Sequence, residues 1–279
     1  MTPPSETCVS DVMMQAKQRL ESVSDSPLLD CQIILGHVMD RPRNWLYAHG
    51  DDDLTERQAA CFQALVDRRA AGEPVAYITG TRAFWKRDFR VSPGVLIPRP
   101  ETELLIETVL KLLNASPQAV VDLGTGSGII AVSLAAERPD WQVTGIDRST
   151  AALEVATSNG ADLGNLTFQQ GNWCEGLGVE SIDVIVSNPP YVREDDPHLT
   201  ALAFEPATAL VSGPDGLRDL TEIVSQSYDC LVTGGLLAVE HGYDQQVEVI
   251  ALFETNGFEK ISGRQDLEGT PRIVTGFKP

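Results

Sequence analysis

Asn188-Pro189-Pro190-Tyr191 follows the apolar run Val184-Ile185-Val186-Ser187 and lies sixty residues beyond Gly128 of a glycine-rich turn. An asparagine side-chain oxygen next to a proline carbonyl places two hydrogen-bond acceptors on a short, stiff backbone. Such a pair suits a planar nitrogen that carries hydrogens, an amide or an exocyclic amine: the acceptors take the N–H groups and aim the lone pair. The chemistry that needs this grip is transfer of a small group, such as methyl, to a weakly nucleophilic nitrogen. With each residue type at roughly 3–5 % usage, the string arises by chance in about one of a thousand chains of this length.

A second group of residues lies upstream. Asp122-Leu123-Gly124-Thr125-Gly126-Ser127-Gly128 falls between an apolar run, Ala119–Leu123, and a helical pattern, Ile129–Leu134. Glycines at that point let the backbone approach a ligand at the carboxyl ends of parallel strands. The spacing is GxGxG, and the third glycine of the dinucleotide pattern GxGxxG would have to be Ile129, which argues against NAD. Asp147 comes nineteen residues after Gly128, at the end of the next strand, where a carboxylate can accept both ribose hydroxyls of a nucleoside. The other role open to Asp147 is to cap the helix beginning near Ser149-Thr150.

These residues need a scaffold, and the chain divides near residue 85. Before it, Val12, Ala16 and Leu20 recur at helical spacing, a second helical segment runs through Leu28–Leu35, and a third runs from Leu54-Thr55 to Ala71, stopped by Gly72 and Pro74. Phe84–Val91 alternates weakly, Ser92-Pro93-Gly94 reads as a turn and Val95–Ile97 as a return strand, which predicts a β-hairpin; Pro98-Arg99-Pro100 ends it and Glu101 opens a helix. From about residue 118, strands predicted at 119–123, 143–147, 166–169, 182–187, 235–240, 258–262 and 272–277 alternate with helices. The fold class is therefore α/β, a doubly wound, mostly parallel seven-stranded sheet of Rossmann-like type behind a small all-α N-terminal domain. Only a short Gly263-to-Gly269 connection joins the last two strands, which makes them an antiparallel pair.

Composition narrows the function classes. The 279 residues carry 40 acidic and 21 basic side chains, a net charge of −19, with no basic run. Binding a nucleic-acid backbone draws on Lys and Arg to neutralise phosphate, so this balance weighs against a nucleic-acid substrate. Cys8, Cys31, Cys61, Cys174 and Cys230 are scattered without CxxC spacing, so neither a metal site nor a disulfide framework is expected. No apolar stretch reaches the roughly 18 residues of a membrane span. Met1-Thr2-Pro3-Pro4-Ser5-Glu6 lacks the basic and apolar regions of a signal peptide, so a cytoplasmic location is expected.

The glycine loop, the strand-end acid and the tetrapeptide, in this order, resemble the class I S-adenosylmethionine-dependent methyltransferases over residues 118–279. The resemblance narrows with Pro74-Val75-Ala76-Tyr77-Ile78-Thr79-Gly80 and Gly94-Val95-Leu96-Ile97-Pro98-Arg99-Pro100-Glu101-Thr102-Glu103. Together with Phe204-Glu205-Pro206, Glu240-His241-Gly242 and Asp266–Arg272, these are similar to the release-factor glutamine N5-methyltransferases of the PrmC/HemK type. The resemblance implies transfer of a methyl group from S-adenosylmethionine to the side-chain amide of the glutamine in the Gly-Gly-Gln loop of class-1 peptide chain release factors. It also implies three segments: a helical substrate-docking domain over 1–83, a hairpin linker over 84–100 and the methyltransferase domain over 101–279.

Carried over residue by residue, Gly124, Thr125, Gly126, Ser127 and Gly128 would lie near the methionine moiety of the cofactor, Asp147 at the ribose, and Trp173 on or beside the adenine. Asn188 would border both cofactor and substrate. The Asn188 side chain and the Pro189 carbonyl would accept the two amide hydrogens, while Pro190 and Tyr191 shape a slot in which Tyr191 packs on the planar amide. Asn172 stands where the family often has Asp, which removes a charge from the adenine contact. Glu205 is a candidate to orient the Asn-Pro-Pro-Tyr loop, His241 a structural residue, and Cys174 inert packing. A monomer without metal is expected. Two rival readings stand beside this one: an amino methyltransferase acting on a base in DNA or RNA, which would need base flipping, and a cofactor-binding interaction module without catalysis.

Overall fold

A computed structural model describes residues 8–279, and residues 1–7, which include the segment weighed above as a leader, lie outside it. The described residues form two compact units, the first ending at residue 81 and the second spanning 82–279.

Within the first unit, α1 (Val9–Leu20), α2 (Pro27–Met39), α3 (Arg43–Ala48), α4 (Glu56–Ala70) and α5 (Val75–Thr79) enclose a core of their own. The helical spacing expected in α1 buries Ala16 and Leu20, which meet Cys31, Ile34 and Leu35 of α2 and Phe62 and Val66 of α4. Thr55 starts α4 with a reciprocal cap: its hydroxyl accepts the Gln58 N–H at 3.3 Å, and the Gln58 side chain accepts the Thr55 N–H at 3.0 Å. Two short helices, α3 and α5, were not anticipated from the sequence; each is shorter than two turns and carries too little periodicity to register.

A two-stranded hairpin, β1 (Thr81–Phe84) and β2 (Arg87–Arg90), follows. It lies earlier than the sequence pattern placed it. The turn is at Trp85-Lys86, and Val95–Ile97 lies outside any strand. Trp85 takes φ +53, a conformation disfavoured for a bulky residue, and tertiary contacts hold it there. Its N–H donates to Glu103 Oε1 and its indole Nε1 to Glu137 Oε1, both at 2.8 Å.

The second unit continues with α6 (Glu103–Leu112), β3 (Ala119–Leu123), α7 (Ile129–Glu137), β4 (Gln142–Asp147), α8 (Thr150–Asn159), β5 (Leu166–Gln170) and β6 (Ile182–Ser187). It ends with α9 (Arg218–Cys230), β7 (Leu231–Glu240), α10 (Gln246–Thr255), β8 (Glu259–Gln265) and β9 (Pro271–Phe277). The sheet order is β5-β4-β3-β6-β7-β9-β8; β3 to β7 are parallel, and β9 runs antiparallel to both β7 and β8. The antiparallel pair expected from the short final connection is therefore present. Alternation of side chains along each strand feeds two cores. Val120, Val184, Val186, Leu236 and Ala238 face α6 and α7, while Val121, Ile185, Leu237 and Val239 face α9 and α10. Both sheet faces are covered, which is why the strands read as continuous apolar runs.

The strand order reverses at β3: the chain passes from β3 through β4 to β5, then returns to the other side of β3 at β6. Ligands of such sheets bind at this switch point, beyond the carboxyl ends of the strands. The register puts the predicted residues there together. Leu123 pairs with Ile146 of β4 and with Ser187 of β6, so Gly124, Asp147 and Asn188, each the next residue along, leave the sheet side by side. No helix among the described residues is long and apolar enough to cross a membrane.

Candidate active site

Above these strand ends lies an open cleft, the place where ligands of such sheets bind. Gly124, Thr125, Gly126, Ser127, Asp147, Trp173, Asn188 and Pro190 all line it, as do Asn172 and Arg99. Gly128, Pro189 and Tyr191 do not.

The glycine loop is shaped by its backbone. Gly124 and Thr125 both donate N–H bonds to the Ile146 carbonyl, at 2.8 and 2.9 Å, which bends the chain sharply off β3. Gly124 has φ +71, and a Cβ there would come within 3.1 Å of the Trp173 ring. Gly126 has φ +56, and a Cβ there would meet nothing nearer than 4.0 Å, so it would project into open cleft space. A loop that leaves its concave side free of side chains is a cradle for a ligand that backbone must touch.

Below the loop, Asp122 is fully buried. One of its oxygens accepts the Thr125 hydroxyl at 2.6 Å and the Ala131 N–H at 3.2 Å, tying the loop to the first turn of α7. Burial pushes this carboxyl up to about 7, against the pull of those two bonds.

Asp147 stands across the loop. Oδ2 accepts the Gly126 N–H and Oδ1 the Ser149 N–H, each at 2.9 Å. Ser149 supplies the cap of α8, its hydroxyl accepting the Ala152 N–H at 3.2 Å, so the capping role weighed for Asp147 falls to its neighbour. A carboxylate oxygen has two lone pairs, so each Asp147 oxygen retains one acceptor site. Trp173, at φ +47 and 8 % exposed, lies over Gly124 and also packs into the α9/α10 core. The Asn172 side chain donates to Glu175 Oε1 at 3.3 Å.

The other wall is the tetrapeptide. The Ser187 hydroxyl donates to the Leu123 carbonyl at 2.7 Å, locking the end of β6 to the root of the glycine loop. Asn188 Nδ2 donates to the Thr102 hydroxyl at 3.0 Å, which leaves Oδ1 without a partner among the described residues. Val192 N–H to the Leu210 carbonyl at 2.8 Å, and Gln245 Nε2 to the Tyr191 carbonyl at 3.0 Å, fix the chain beyond it.

Tyr191 has a different place from the one expected. Its ring packs into the α9/α10 core, and its hydroxyl donates to Glu240 Oε1 at 3.1 Å. Burial and the facing carboxylate raise its pKa.

Glu205 also works elsewhere than expected. It accepts the Ile97 N–H at 3.0 Å and pairs with Arg99, so it shapes the chain entering α6 and not the Asn-Pro-Pro-Tyr loop. His241 is buried with Nδ1 2.7 Å from the Gly242 carbonyl, and desolvation lowers its pKa. Cys174 is buried beside Ser227, and desolvation pushes its thiol up to about 12. Thr102 and Arg99 had no role assigned from the sequence; they sit in the Pro98–Glu103 run, which read as a helix start and as part of the family resemblance.

This sheet order, with its cleft beyond β3, β4 and β6, defines a class I methyltransferase fold. A methyltransferase from Pyrococcus furiosus shares the fold, with a TM-score of 0.54 at 19 % identity over 77 % of this chain and 97 % of that one. A ribosomal protein L11 methylase from Lactobacillus delbrueckii has a TM-score of 0.51 at 18 % identity, over 68 % of this chain and 83 % of that one.

Sequence relationships are closer. Residues 11–80 match the PrmC N-terminal domain and residues 100–212 the methyltransferase small domain. Release factor glutamine methyltransferase of Xylella fastidiosa is 45 % identical over 96 % of this chain and 97 % of its own. The enzyme of the same name from Escherichia coli is 41 % identical over 91 % and 93 %, and that of Coxiella burnetii 40 % over 95 % and 97 %. The chain belongs to the release factor glutamine methyltransferase family.

Proposed function

We propose that the protein transfers a methyl group from S-adenosylmethionine to the N5 side-chain amide of the glutamine in the Gly-Gly-Gln loop of class-1 peptide chain release factors. The observation that carries the reading is Asn188: its Nδ2 is occupied by Thr102, its Oδ1 has no partner among the described residues, and it borders the cleft of the glycine loop.

The cleft fits the cofactor by its chemistry. A wall bare of side chains at Gly124 and Gly126, a carboxylate with free acceptor sites at Asp147, and an indole at Trp173 match a methionine chain, a ribose and an adenine. When bound there, S-adenosylmethionine supplies an electrophilic sulfonium methyl. Asp147 would hold the ribose hydroxyls, and the glycine loop would lie along the methionine moiety. Trp173 would pack beside the adenine, and Asn172 would offer it a neutral acceptor.

An amide nitrogen is a poor nucleophile because its lone pair is delocalised into the carbonyl. Asn188 Oδ1 and the Pro189 carbonyl accept its two N–H groups, hold the nitrogen in line for transfer and stabilise positive charge developing on it. Pro190 walls the slot, and Tyr191 braces the turn from the core side. The proton leaves to water, so the chain needs no dedicated base. The helical unit is the natural docking element for the release factor, the protein acts as a monomer in the cytoplasm, and nucleic acid is not its acceptor.

The test is transfer of labelled methyl from S-adenosylmethionine to four acceptors: a class-1 release factor, the same factor with its Gly-Gly-Gln glutamine replaced, duplex DNA and ribosomal RNA. Label on the intact factor alone is expected. Label on nucleic acid would mean that Asn188 and its neighbours grip a base.

A further inference from the structure

The reaction as described uses Asn188 and leaves a buried carboxyl behind it without a purpose. Glu240 ends β7 and is 1 % exposed. The register of β6 and β7 pairs Ser187 with Val239, so Glu240 is the residue beside Asn188 at the sheet end. Glu240 Oε1 accepts the Tyr191 hydroxyl at 3.1 Å, and Oε2 is buried with no hydrogen-bond partner among the described residues. The Thr102 hydroxyl makes no hydrogen bond to this carboxyl but acts on it to favour its charged form, and the same hydroxyl accepts the Asn188 Nδ2–H at 3.0 Å. Thr102 itself is fully buried.

With Glu240 ionised, the donor and acceptor count has one solution. A carboxylate only accepts, so the Thr102 proton points at Glu240; the Thr102 lone pair must then take a proton from Asn188, and only the Nδ2 end of the carboxamide can give one. The reverse flip would set Asn188 Oδ1 against a hydroxyl oxygen whose proton is already committed.

We infer that Glu240 is a positioning residue of the methyl-transfer site, acting through the Thr102 hydroxyl to fix the Asn188 carboxamide with Oδ1 toward the acceptor. This rests on the proposed reaction for its consequence in turnover, but the carboxamide's orientation can be observed without it. The relay also polarises: a negative charge at Glu240 strengthens the Thr102 oxygen as an acceptor, which draws on the Asn188 N–H and leaves Oδ1 more negative. Tyr191, held by the other carboxylate oxygen, is the second tie between Glu240 and the tetrapeptide.

Burial pushes Glu240 up to about 7, against the pull of Thr102, Tyr191 and Arg272 and with the push of Glu101; His241 follows it on the strand, its own pKa lowered by burial. The relay is then fully charged only above neutrality, and turnover should rise with pH through about 7.

The experiment combines kinetics with a readout that needs no turnover. In 15N-labelled protein without acceptor, the Asn188 side-chain NH2 resonances, assigned by their loss in N188A, should move with pH around 7. They should stay still in E240Q and T102V. In parallel, kcat of E240Q and T102V should fall about ten- to thirtyfold, short of the roughly 10²–10³ for a group that touches the transition state. The dissociation constant for S-adenosylmethionine should stay within about twofold, and the rise of kcat with pH should be absent. The double variant E240Q/T102V should lose no more than either single one, because both break the same chain. T102S, which keeps the hydroxyl, should recover most of the loss, and it decides the matter together with T102V if E240Q does not fold.

Wild-type kcat in T102V, or Asn188 resonances that do not respond to pH in the wild type, overturns the inference. A wild type that shows the resonance shift but methylates no release factor would sink the proposed reaction and leave the relay standing.

Discussion

The ends of β4 and β6 flank the end of β3, one residue on from the same register, yet they hold their functional groups by different means. Asp147 is fixed by main-chain N–H groups from 21 and 2 residues away, and it stays partly exposed in the cleft. Asn188 is fixed by a side chain 86 residues away, on a foundation of fully buried Thr102 and Glu240. The difference follows from what each group does. A carboxylate that grips a diol works through charge and both oxygens, so local backbone is enough to aim it. A neutral carboxamide has an acceptor end and a donor end, and only a partner of fixed polarity keeps the right end forward.

If this division holds, substitutions at the two ends should damage different quantities. The largest effect is expected for N188A: turnover falls by roughly 10²–10³, as when one preorganised transition-state contact is lost. Its donor affinity, measured by calorimetry, stays near that of the wild type. D147A should show the converse. The dissociation constant for S-adenosylmethionine rises about 10- to 100-fold, since hydrogen bonds to a charged group contribute roughly 1.5–3 kcal/mol, while the single-turnover rate at saturating donor changes little.

G124A sharpens the comparison further. An alanine at φ +71, with its Cβ 3.1 Å from the Trp173 ring, should lower stability by about 1–2 kcal/mol. It should also weaken donor binding, with the rate at saturation preserved.

A smaller effect is expected at Asp122, which braces the donor side from beneath. Its pKa is raised by burial to about 7, so between roughly pH 4 and 7 the folded state holds a proton that the unfolded chain has lost. Stability therefore falls as pH rises through that window. D122N should reduce the drop in melting temperature between pH 5 and pH 8, with Glu240 supplying a remainder of the same sign. A drop unchanged in D122N would mean that Asp122 is ionised throughout. The smallest effect concerns neither strand end: the net charge of −19 should make association with a basic face of the release factor slow with added salt. A flat salt response would remove electrostatics from docking.

The same contrast explains what could be read before the structure. The donor side was legible because its parts are local: glycines between an apolar run and a helix, then an acid at the next strand end. Runs such as Val184–Val186, buried on both faces, announced the parallel sheet without ambiguity.

The acceptor side was legible only at Asn188-Pro189-Pro190-Tyr191. Its supports come from the start of α6 and the end of β7, and only the sheet register brings them to it. Tyr191 read as a slot wall because nothing local reveals a buried carboxylate waiting for its hydroxyl. Glu205 read as a brace for the tetrapeptide, and its partners Ile97 and Arg99 lie more than a hundred residues upstream. The hairpin was displaced for a like reason. Its turn is set at Trp85 by Glu103 and Glu137, which no window around residues 84–97 contains.

The division of labour is tested most directly by a double-mutant cycle on N188A and D147A, reading single-turnover methylation of the release factor at saturating S-adenosylmethionine. The account predicts that the double variant, once saturated, reacts at the rate of N188A alone, with the donor affinity of D147A alone. A double variant slowed well beyond N188A at saturation would contradict it, because Asp147 would then be acting on the transfer itself and not on the hold of the donor.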